Sequence, residues 1–436
     1  MKALYPLLFL LLNGIVLPAQ WNGPLAGLRN HLEKTAWKDS SQGLAPLYNS
    51  RGLHYLQPVY RSLVTLPADG RKNAVFNYQL PAEDFCFAGD HRNAIYFGSA
   101  YFDSLPPAVY KAIDAYADSV KTLEFRDAKQ LILSRAAKER VVMLNENPAY
   151  AQHRAFAISL LDSLYALGYR YLALEWLNSR KDRYITGLDM RTGYYAAEPV
   201  GGELVRRALS LGFRLVPYED SLAGQHAGSG RYAIQAATLT YLVQHDTTAR
   251  LLVIAGGARI SEKKVGEEFT PMAVFFQRFS GINPLTIDLT EMCEGSAFEY
   301  GRYFYQALNQ RKKWKTPVVA FRKDSAVSLL ENDQYDLQVI LPSTAWKHRR
   351  PAWLDLGGRR KEVPVRPTEK NLFLVQAYYL KESGEKPLAV LVPADQTYIA
   401  GEEGYYWLFL QPGKYKLVLR DMDYAILSEK ELELPL

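Results

Sequence analysis

Three short apolar runs of this chain each end on a glutamate. The runs are residues 141–146, 171–175 and 214–219, and they end on Glu146, Glu175 and Glu219. A segment with helical spacing separates each run from the next, so the runs are predicted to be parallel strands of one sheet. Parallel strands present their C-terminal ends at the same edge, and open α/β sheets bind ligands there. The sequence therefore predicts an α/β fold with a ligand site at the C-terminal edge of its parallel strands.

The intervening segments support this prediction. Leu160, Leu161, Leu164 and Leu167 recur on one helical face after the first strand, and Gly168 follows where a helix C-terminal cap belongs. Further helices are predicted at 202–211, 232–244 and 271–279, and further strands at 251–255 and 285–288. We therefore expect an α/β fold with a mostly parallel sheet flanked by helices.

The length of 436 residues exceeds that of one ordinary core, so several domains are expected. After a signal peptide at residues 1–19, residues 20–129 are predicted to form a helical and irregular layer that packs on the core. Residues 130–315 are the predicted α/β domain. Residues 316–436 alternate apolar and polar side chains between Gly and Pro turns, which predicts a C-terminal β-sandwich-like domain.

The first residues have the composition of a cleaved secretory signal. Lys2 precedes an apolar run from Leu4 to Leu17, and Pro18 and Ala19 follow it. The run is shorter than the roughly 20 residues that a spanning helix needs, so no stable membrane insertion is expected after cleavage. We expect a bacterial protein exported to the periplasm or secreted.

Charge and cysteine content restrict the partners. The formal net charge of +6 is spread thinly, without the interleaved basic and aromatic residues of a nucleic-acid groove, so no nucleic-acid partner is expected. Cys86 and Cys293 cannot form a disulfide framework, and we interpret them as buried thiols, with one bridge as the alternative. The sequence leaves the oligomeric state open.

Glu146 is the first candidate for chemistry. His153 and Arg154 follow it within two helical turns, and a carboxylate can orient an imidazole for general-base work or metal ligation. The alternative is structural: Glu146 pairs with Arg154 and holds the turn from strand to helix.

Glu175 ends a strand so apolar that its carboxylate needs a partner. The candidates are Arg154, Arg191 and Arg231. For Glu219, a structural role in the following loop is favoured over a functional role. Tyr194 lies between a strand and a helix, where a substrate wall is commonly built.

Several common catalytic signatures are absent from the sequence. It contains no G-x-S-x-G elbow, no H-E-x-x-H, no P-loop and no G-x-G-x-x-G after a strand. The usual serine-hydrolase, zinc-protease and nucleotide-binding interpretations therefore have no support.

The order of these residues resembles the erythromycin esterase, ChaN and Tiki superfamily. The resemblance covers about residues 139–290, and the matching positions are Glu146 with His153-Arg154, Leu174-Glu175, Tyr218-Glu219, Arg231 with Gln235-Ala236, and the Ala-Gly-Gly-Ala-Arg run at 255–259. It implies an α/β fold, hydrolysis of ester or peptide bonds or binding of haem or metal, and reliance on histidines. Taken with the positions of the residues, it gives Glu146, His153 and Glu175 as candidate catalytic residues. The candidate ligand-binding residues are Arg154, Tyr194, Glu219, Arg231, Gln235 and Arg259.

This chain departs from the superfamily pattern at three positions. Pro148 stands where a Glu-x-His motif has its histidine, Arg259 stands where a later strand end has another, and Tyr232 replaces a glutamate after Arg231. Proline has no side-chain acceptor and arginine stays protonated, so neither can act as a base near neutral pH. Carboxylates alone suit hard cations better, so a transition-metal site should be weak without the histidines, and the sequence leaves the cofactor unknown, with neither metal nor haem assigned.

Three functions follow from this pattern. In the first, a degenerate member keeps the carboxylate edge and binds a small anionic or ester ligand without efficient hydrolysis. In the second, an active esterase-type hydrolase uses Glu146 or His153 as base, Glu175 to orient it, and Arg231 or Arg259 to stabilise an oxyanion. In the third, the C-terminal β domain binds a partner at a surface or in the periplasm. We favour the first.

Overall fold

Helices and short strands alternate through most of the chain, and a β-rich region ends it. The computed structural model describes residues 24–38, 48–49, 52–67, 72, 77–99, 105–178, 184–219, 228–264, 269–298, 300–330 and 334–435. The expected signal peptide at residues 1–19 lies outside these residues. The α-helices are α1 (Pro24–Lys34), α2 (Gln57–Thr65), α3 (Gln79–Phe87), α4 (His91–Gly98), α5 (Pro107–Val120), α6 (Ala128–Ala136), α7 (Ala151–Ala166), α8 (Pro199–Leu211), α9 (Ser229–His245), α10 (Met272–Ser280), α11 (Gly301–Arg311) and α12 (Leu380–Glu385).

The strands fall into one large sheet and several small ones. They are β1 (Tyr48–Asn49), β2 (Gly52–Leu53), β3 (Glu124–Asp127), β4 (Val141–Glu146), β5 (Tyr171–Leu174), β6 (Arg214–Pro217), β7 (Leu251–Gly256), β8 (Leu285–Asp288), β9 (Val318–Arg322), β10 (Ser325–Ala326), β11 (Leu337–Ile340), β12 (Trp346–Lys347), β13 (Arg350–Pro351), β14 (Lys361–Val365), β15 (Leu374–Tyr379), β16 (Asp395–Thr397), β17 (Tyr406–Leu410), β18 (Gly413–Arg420) and β19 (Ile426–Leu434). The large sheet has the order β10-β9-β11-β8-β4-β7-β5-β6, and β3 pairs with β9.

The predicted parallel layer is confirmed. Strands β4 to β8 pair only in parallel with one another, and β11 is also parallel to β8. Opposite Glu146 at the end of β4 lies Gly256 at the end of β7. Leu174 at the end of β5 lies opposite both Ile254 and Pro217. The ends of four neighbouring strands therefore meet at one edge, as the glutamate-ended runs indicate.

Alternate residues of the central strands pack against opposite layers of helices. On β4, Val142 and Leu144 face a core that includes α7 and α8, whereas Val141 and Met143 face a core that includes α9 and α10. The two faces of the sheet are thus both buried, which explains why these strands are almost wholly apolar. Burying each such side chain contributes roughly 1.5–3 kcal/mol to stability.

The central sheet takes strands from beyond the predicted α/β boundaries. Strands β9 and β11 were expected in a β-sandwich-like region beginning at residue 316, but they pair with each other and with β3 and β8 in the large sheet. An apolar run predicts a strand without predicting its neighbours, because pairing depends on chain segments distant in sequence.

The C-terminal β region begins after this sheet. Strand β14 pairs with β17, and β15, β16, β18 and β19 form a second antiparallel sheet. The two sheets share one apolar core, to which Val363 and Leu408 contribute from the first and Val375 and Leu419 from the second. The predicted α/β fold with a C-terminal β region is therefore observed.

A buried charged cluster attaches helix α8 to this β region. Glu203 of α8 is 1% exposed and pairs with Arg206 (Oε1 to Nη1, 2.8 Å) and with Arg360 (Oε2 to Nη2, 3.2 Å). The Tyr379 hydroxyl and the Gln411 amide donate to Glu203 Oε2 at 3.0 and 2.9 Å. Helix α8 begins at Pro199 beside the sheet edge, so this cluster links that edge to the C-terminal β region.

Glu203→Gln is expected to lower the free energy of unfolding by about 3–5 kcal/mol, because it leaves buried Arg360 without a countercharge. Glu433→Gln is the matched control, since Glu433 is 70% exposed and pairs only with exposed Lys414 among the described residues. The control should change stability by less than about 0.5 kcal/mol. Urea unfolding followed by circular dichroism measures both values, and equal effects would contradict the structural role of the cluster.

Candidate functional site

A cavity of about 1050 Å³ lies at the C-terminal edge of the central sheet. The ends of β4, β5, β6 and β7 contribute Glu146, Glu175, Glu219 and the Gly256–Arg259 turn to its walls. Aromatic side chains form much of the remaining wall: Tyr78, Phe97, Trp176, Tyr194, Tyr195, Phe298 and Tyr335. The cavity therefore combines charged groups at its sheet edge with flat apolar surfaces.

Glu146 is held on both carboxylate oxygens. Arg154 Nη1 donates to Oε2 at 2.8 Å, and the Trp176 indole N–H donates to Oε1 at 2.8 Å. Arg154 also donates through Nη2 to the Pro148 carbonyl at 2.9 Å, which closes the turn between β4 and α7. The structural alternative for Glu146, a pair with Arg154 at the strand-to-helix turn, is what the structure contains.

Arg154 itself is fully buried between two carboxylates. Its Nε donates to Glu198 Oε2 at 3.1 Å, and Glu198 also caps helix α8 by accepting from the N–H groups of Val200 and Gly201. Burial lowers the pKa of Arg154, but Glu146 and Glu198 outweigh that effect and raise it above its ordinary value. Arg154 is therefore a permanent cation that neither contacts solvent nor lines the cavity.

Glu175 lies between two arginines and a backbone N–H. Arg259 Nε is 2.8 Å and Arg231 Nη2 is 3.2 Å from Glu175 Oε1, and the Gly256 N–H donates to Oε2 at 2.7 Å. Burial raises the pKa of Glu175, and the arginines and the Gly256 N–H oppose that rise only in part. Among the suggested partners only Arg231 is correct, because buried Arg154 faces Glu146 and Arg191 pairs with Asp189.

The glycine at residue 256 leaves room for this close packing. A Cβ placed there would lie 2.6 Å from Arg259 Nη1 and 3.4 Å from Glu175 Oε2. The Gly256 carbonyl also accepts from Arg259 Nη1 at 2.6 Å. The turn after β7 thus folds Arg259 back over its own strand end and onto Glu175.

Glu219 shares Arg231 with Glu175. Arg231 Nε donates to Glu219 Oε1 at 2.9 Å, and Arg231 Nη2 makes a short contact with Glu219 Oε2. The Gln235 amide donates to Glu219 at 3.1 Å and to Glu175 at 3.4 Å. Glu175, Glu219, Arg231 and Gln235 are therefore one hydrogen-bonded cluster at the floor of the cavity, and Arg259 joins it through its ion pair with Glu175.

The charges of this cluster balance, but two of its outer guanidinium nitrogens remain open. Arg231 Nη1 and Arg259 Nη2 donate no hydrogen bond to the described residues, and the two side chains are 29% and 24% exposed. An arginine cannot lose its proton near neutral pH. These two atoms can therefore donate to an acceptor on a molecule in the cavity.

His153 is separate from this cluster. The ring is 1% exposed and is not part of the cavity wall. Its Nδ1 accepts the Asn147 N–H at 2.9 Å, and burial together with nearby Arg154 lowers the pKa of His153 to about 3. Helix α7 turns the imidazole away from Glu146, so the predicted pairing of these two side chains does not form.

The aromatic wall was only partly indicated by the sequence. Tyr194 lies in the wall as expected and meets the Tyr195 ring at 4.9 Å between centroids. Trp176, which donates to Glu146, was not singled out. Its position directly after a strand-end glutamate was the available signal, because residues beyond a parallel strand face the binding edge.

Comparison with known proteins returned no match to any family model, curated protein or solved structure. Within the described residues, no three or more His, Cys, Asp or Glu side chains are grouped as metal ligands. No described helix has the length and apolar character needed to cross a bilayer. The function is therefore argued from the geometry of the cavity.

Acid should weaken the fold through His153. The imidazole of the unfolded chain binds a proton below its ordinary pKa of 6.5, whereas the folded one does so only near 3, so stability falls as pH drops through that window. The loss should reach roughly 2–3 kcal/mol between pH 6.5 and about 4.5.

His153→Gln removes this contribution while keeping an acceptor for the Asn147 N–H. Its free energy of unfolding should therefore fall less than that of the parent protein over the same pH range in urea titrations. His54 and His91 also have lowered pKa values from burial, and they act equally in both proteins. Parallel pH curves for the two proteins would contradict the buried neutral state of His153.

Proposed function

We propose that this cavity binds a small organic anion and does not hydrolyse esters efficiently. The observation that carries the proposal is the state of the carboxylates: Glu146 and Glu175 are both paired with arginine, while Arg231 Nη1 and Arg259 Nη2 remain open donors. The oxygens of both carboxylates already accept from donors of the protein, which leaves them poorly placed to take a proton from a water in the cavity. An open guanidinium N–H, in contrast, is a good donor to an oxyanion.

The positions that depart from the superfamily pattern support the same proposal. Pro148 and Arg259 both line the cavity that contains Glu146 and Glu175. If the resemblance holds, the two lost histidines stood around this space, and one of them has become a fixed cation. Replacement of a neutral base by a cation favours anion binding over water activation. An exported binding protein of this superfamily is the function that we propose.

Protonation of Glu175 should strengthen anion binding. Burial raises the pKa of this carboxyl group, and its neutral form leaves Arg231 and Arg259 with only Glu219 as countercharge. The cluster then carries one net positive charge. A ligand anion therefore gains attraction as the pH falls towards that pKa.

The aromatic wall supports an organic rather than an inorganic anion. Trp176, Tyr194 and Tyr335 line the same cavity as the two arginines. Flat apolar surfaces beside a few oriented polar groups are the usual composition of small-molecule sites.

Arg259→Gln should weaken binding of small aliphatic and aromatic carboxylic acids by about 10- to 100-fold, the effect of losing one charge-assisted hydrogen bond. Isothermal titration with the tightest acid of a panel measures the change, and affinity should also rise on mild acidification. Arg278→Gln is the control, because Arg278 is exposed on α10, outside the cavity. Equal affinities of the parent protein and Arg259→Gln would contradict the proposal.

The alternative function is an esterase-type hydrolase with Glu146 as base, which the position of Glu146 in the cavity wall favours. We expect hydrolysis of simple aryl esters by the parent protein to equal that by Glu146→Gln. This variant keeps the shape and the acceptor for Trp176, whereas alanine would leave Arg154 and Trp176 unpaired. Activity that the substitution abolishes in a folded protein, checked by circular dichroism, would establish the hydrolase instead.

A further inference from the structure

A second cavity, of about 520 Å³, lies between the N-terminal helices and the C-terminal β region. Arg92 of helix α4 lines one side, and Arg349 of the β12–β13 hairpin lines another. The loop between β16 and β17 adds Tyr398, Ile399 and Ala400 to the wall. Two cations from distant parts of the chain thus meet at one space.

Neither arginine has an acceptor among the described residues. Arg92 makes no described hydrogen bond or ion pair, and its guanidinium lies over the Trp346 ring, 5.1 Å from the centroid. Exposed Arg349 likewise has no described hydrogen-bond or ion-pair partner. Burial lowers the pKa of Arg92, and of the two neighbouring charges Asp90 opposes this while Arg349 adds to it. The two guanidinium groups therefore repel one another across the cavity.

The carboxylate in the wall is already occupied. Asp90 accepts from the Asn93 N–H at 3.1 Å, from the Asn93 side-chain amide at 2.7 Å and from the Tyr398 hydroxyl at 2.6 Å. Asp90 caps helix α4 through these contacts and is 2% exposed. It does not come within ion-pair distance of Arg92, so the repulsion between the arginines is not removed by a local salt bridge.

The backbone at Arg349 is strained. His348 and Arg349 form the two-residue loop between Lys347 and Arg350, and their φ angles are +50° and +62°. Such a loop favours the sequence Asn-Gly, because most residues with a Cβ atom are sterically disfavoured at positive φ. Strain of this kind persists where the surroundings enforce it, and it is concentrated at functional sites.

The residues around the turn hold Arg349 in place. The His348 ring stacks on Trp407 at 3.6 Å, with Nδ1 3.0 Å from Glu403 Oε1 and Nε2 3.3 Å from Glu362 Oε2. Arg350 Nη2 donates to buried Asp395 at 2.7 Å. The nearby acids Glu362, Glu403 and Asp395 therefore pair with His348 and Arg350. None of them is an ion-pair partner of the Arg349 guanidinium.

We infer that Arg92 and Arg349 form a second anion site, which binds the phosphoryl group of phosphate or of a small phosphomonoester. Two planar guanidinium groups match the several oxygens and the double charge of a phosphoryl group better than a single carboxylate. Ile399 and Ala400 in the wall offer apolar contact to the organic part of an ester. This site is independent of the cavity at the sheet edge.

The test is thermal unfolding of the full chain with inorganic phosphate, with glycerol phosphate, and with sodium chloride at the same ionic strength. We expect both phosphates to raise the unfolding midpoint of the parent protein above its value in chloride. A larger rise with glycerol phosphate identifies the ester as the better ligand, and an equal or larger rise with phosphate identifies the free ion. Equal midpoints in phosphate and chloride overturn the inference.

Two variants locate the effect. Arg349→Gly should unfold at a higher temperature than the parent protein without phosphate, because glycine relieves the turn, and it should lose most of the phosphate-dependent rise. Arg92→Gln should lose the rise as well. Arg259→Gln, at the other cavity, should retain it. Retention of the full rise by both Arg349→Gly and Arg92→Gln would overturn the assignment.

Discussion

The buried guanidinium of Arg154 determines the geometry of the sheet edge. It ties the end of β4 through Glu146, the following turn through the Pro148 carbonyl, and the start of α8 through Glu198. A charge at 0% exposure is tolerated only when it is paired with opposite charge and its remaining donors find acceptors. The strand end, the turn and the helix start must therefore hold their relative positions, and the first wall of the cavity is rigid.

The same principle operates at Glu175, with a different consequence. There the arginines approach from the cavity side and stay partly exposed, so their outer N–H groups face the cavity. Ion pairing occupies the carboxylates and places cationic donors beside them. An edge that the glutamates alone would make acidic is thus electrically balanced, with donors pointing outwards.

Much of this arrangement follows from the sequence. The glutamates meet at one edge because parallel strands joined by helices leave no other placement, and this was predictable from three apolar runs. The partner of Glu175 was not predictable in the same way. Arg259 reaches it because the turn after β7 folds the guanidinium back onto the strand end, which the spacing in the sequence does not specify. Sequence proximity was also misleading at His153, since the direction of α7 and not the spacing decides where the ring points.

The strand order of the large sheet was also only partly predictable from the sequence. β3 and β11 come from segments on either side of the α/β region, and they were assigned to other layers. The alternating run of β11 was visible in the sequence, whereas β3 has the sequence Glu-Phe-Arg-Asp and no strand pattern. For both strands the choice of neighbour is a property of the folded chain. The C-terminal region was better specified, since the alternating run Lys414-Tyr415-Lys416-Leu417 lies in β18, which pairs antiparallel with β15.

The most direct test of the central claim is a crystal structure of the protein with its tightest-binding organic acid. We predict that the ligand carboxylate lies about 2.7–3.2 Å from Arg231 Nη1 and Arg259 Nη2, with Glu146 still paired to Arg154. A ligand whose carbonyl faces a water held by Glu146, with Arg154 displaced, would contradict the account. So would an anion bound elsewhere while this cavity holds only solvent.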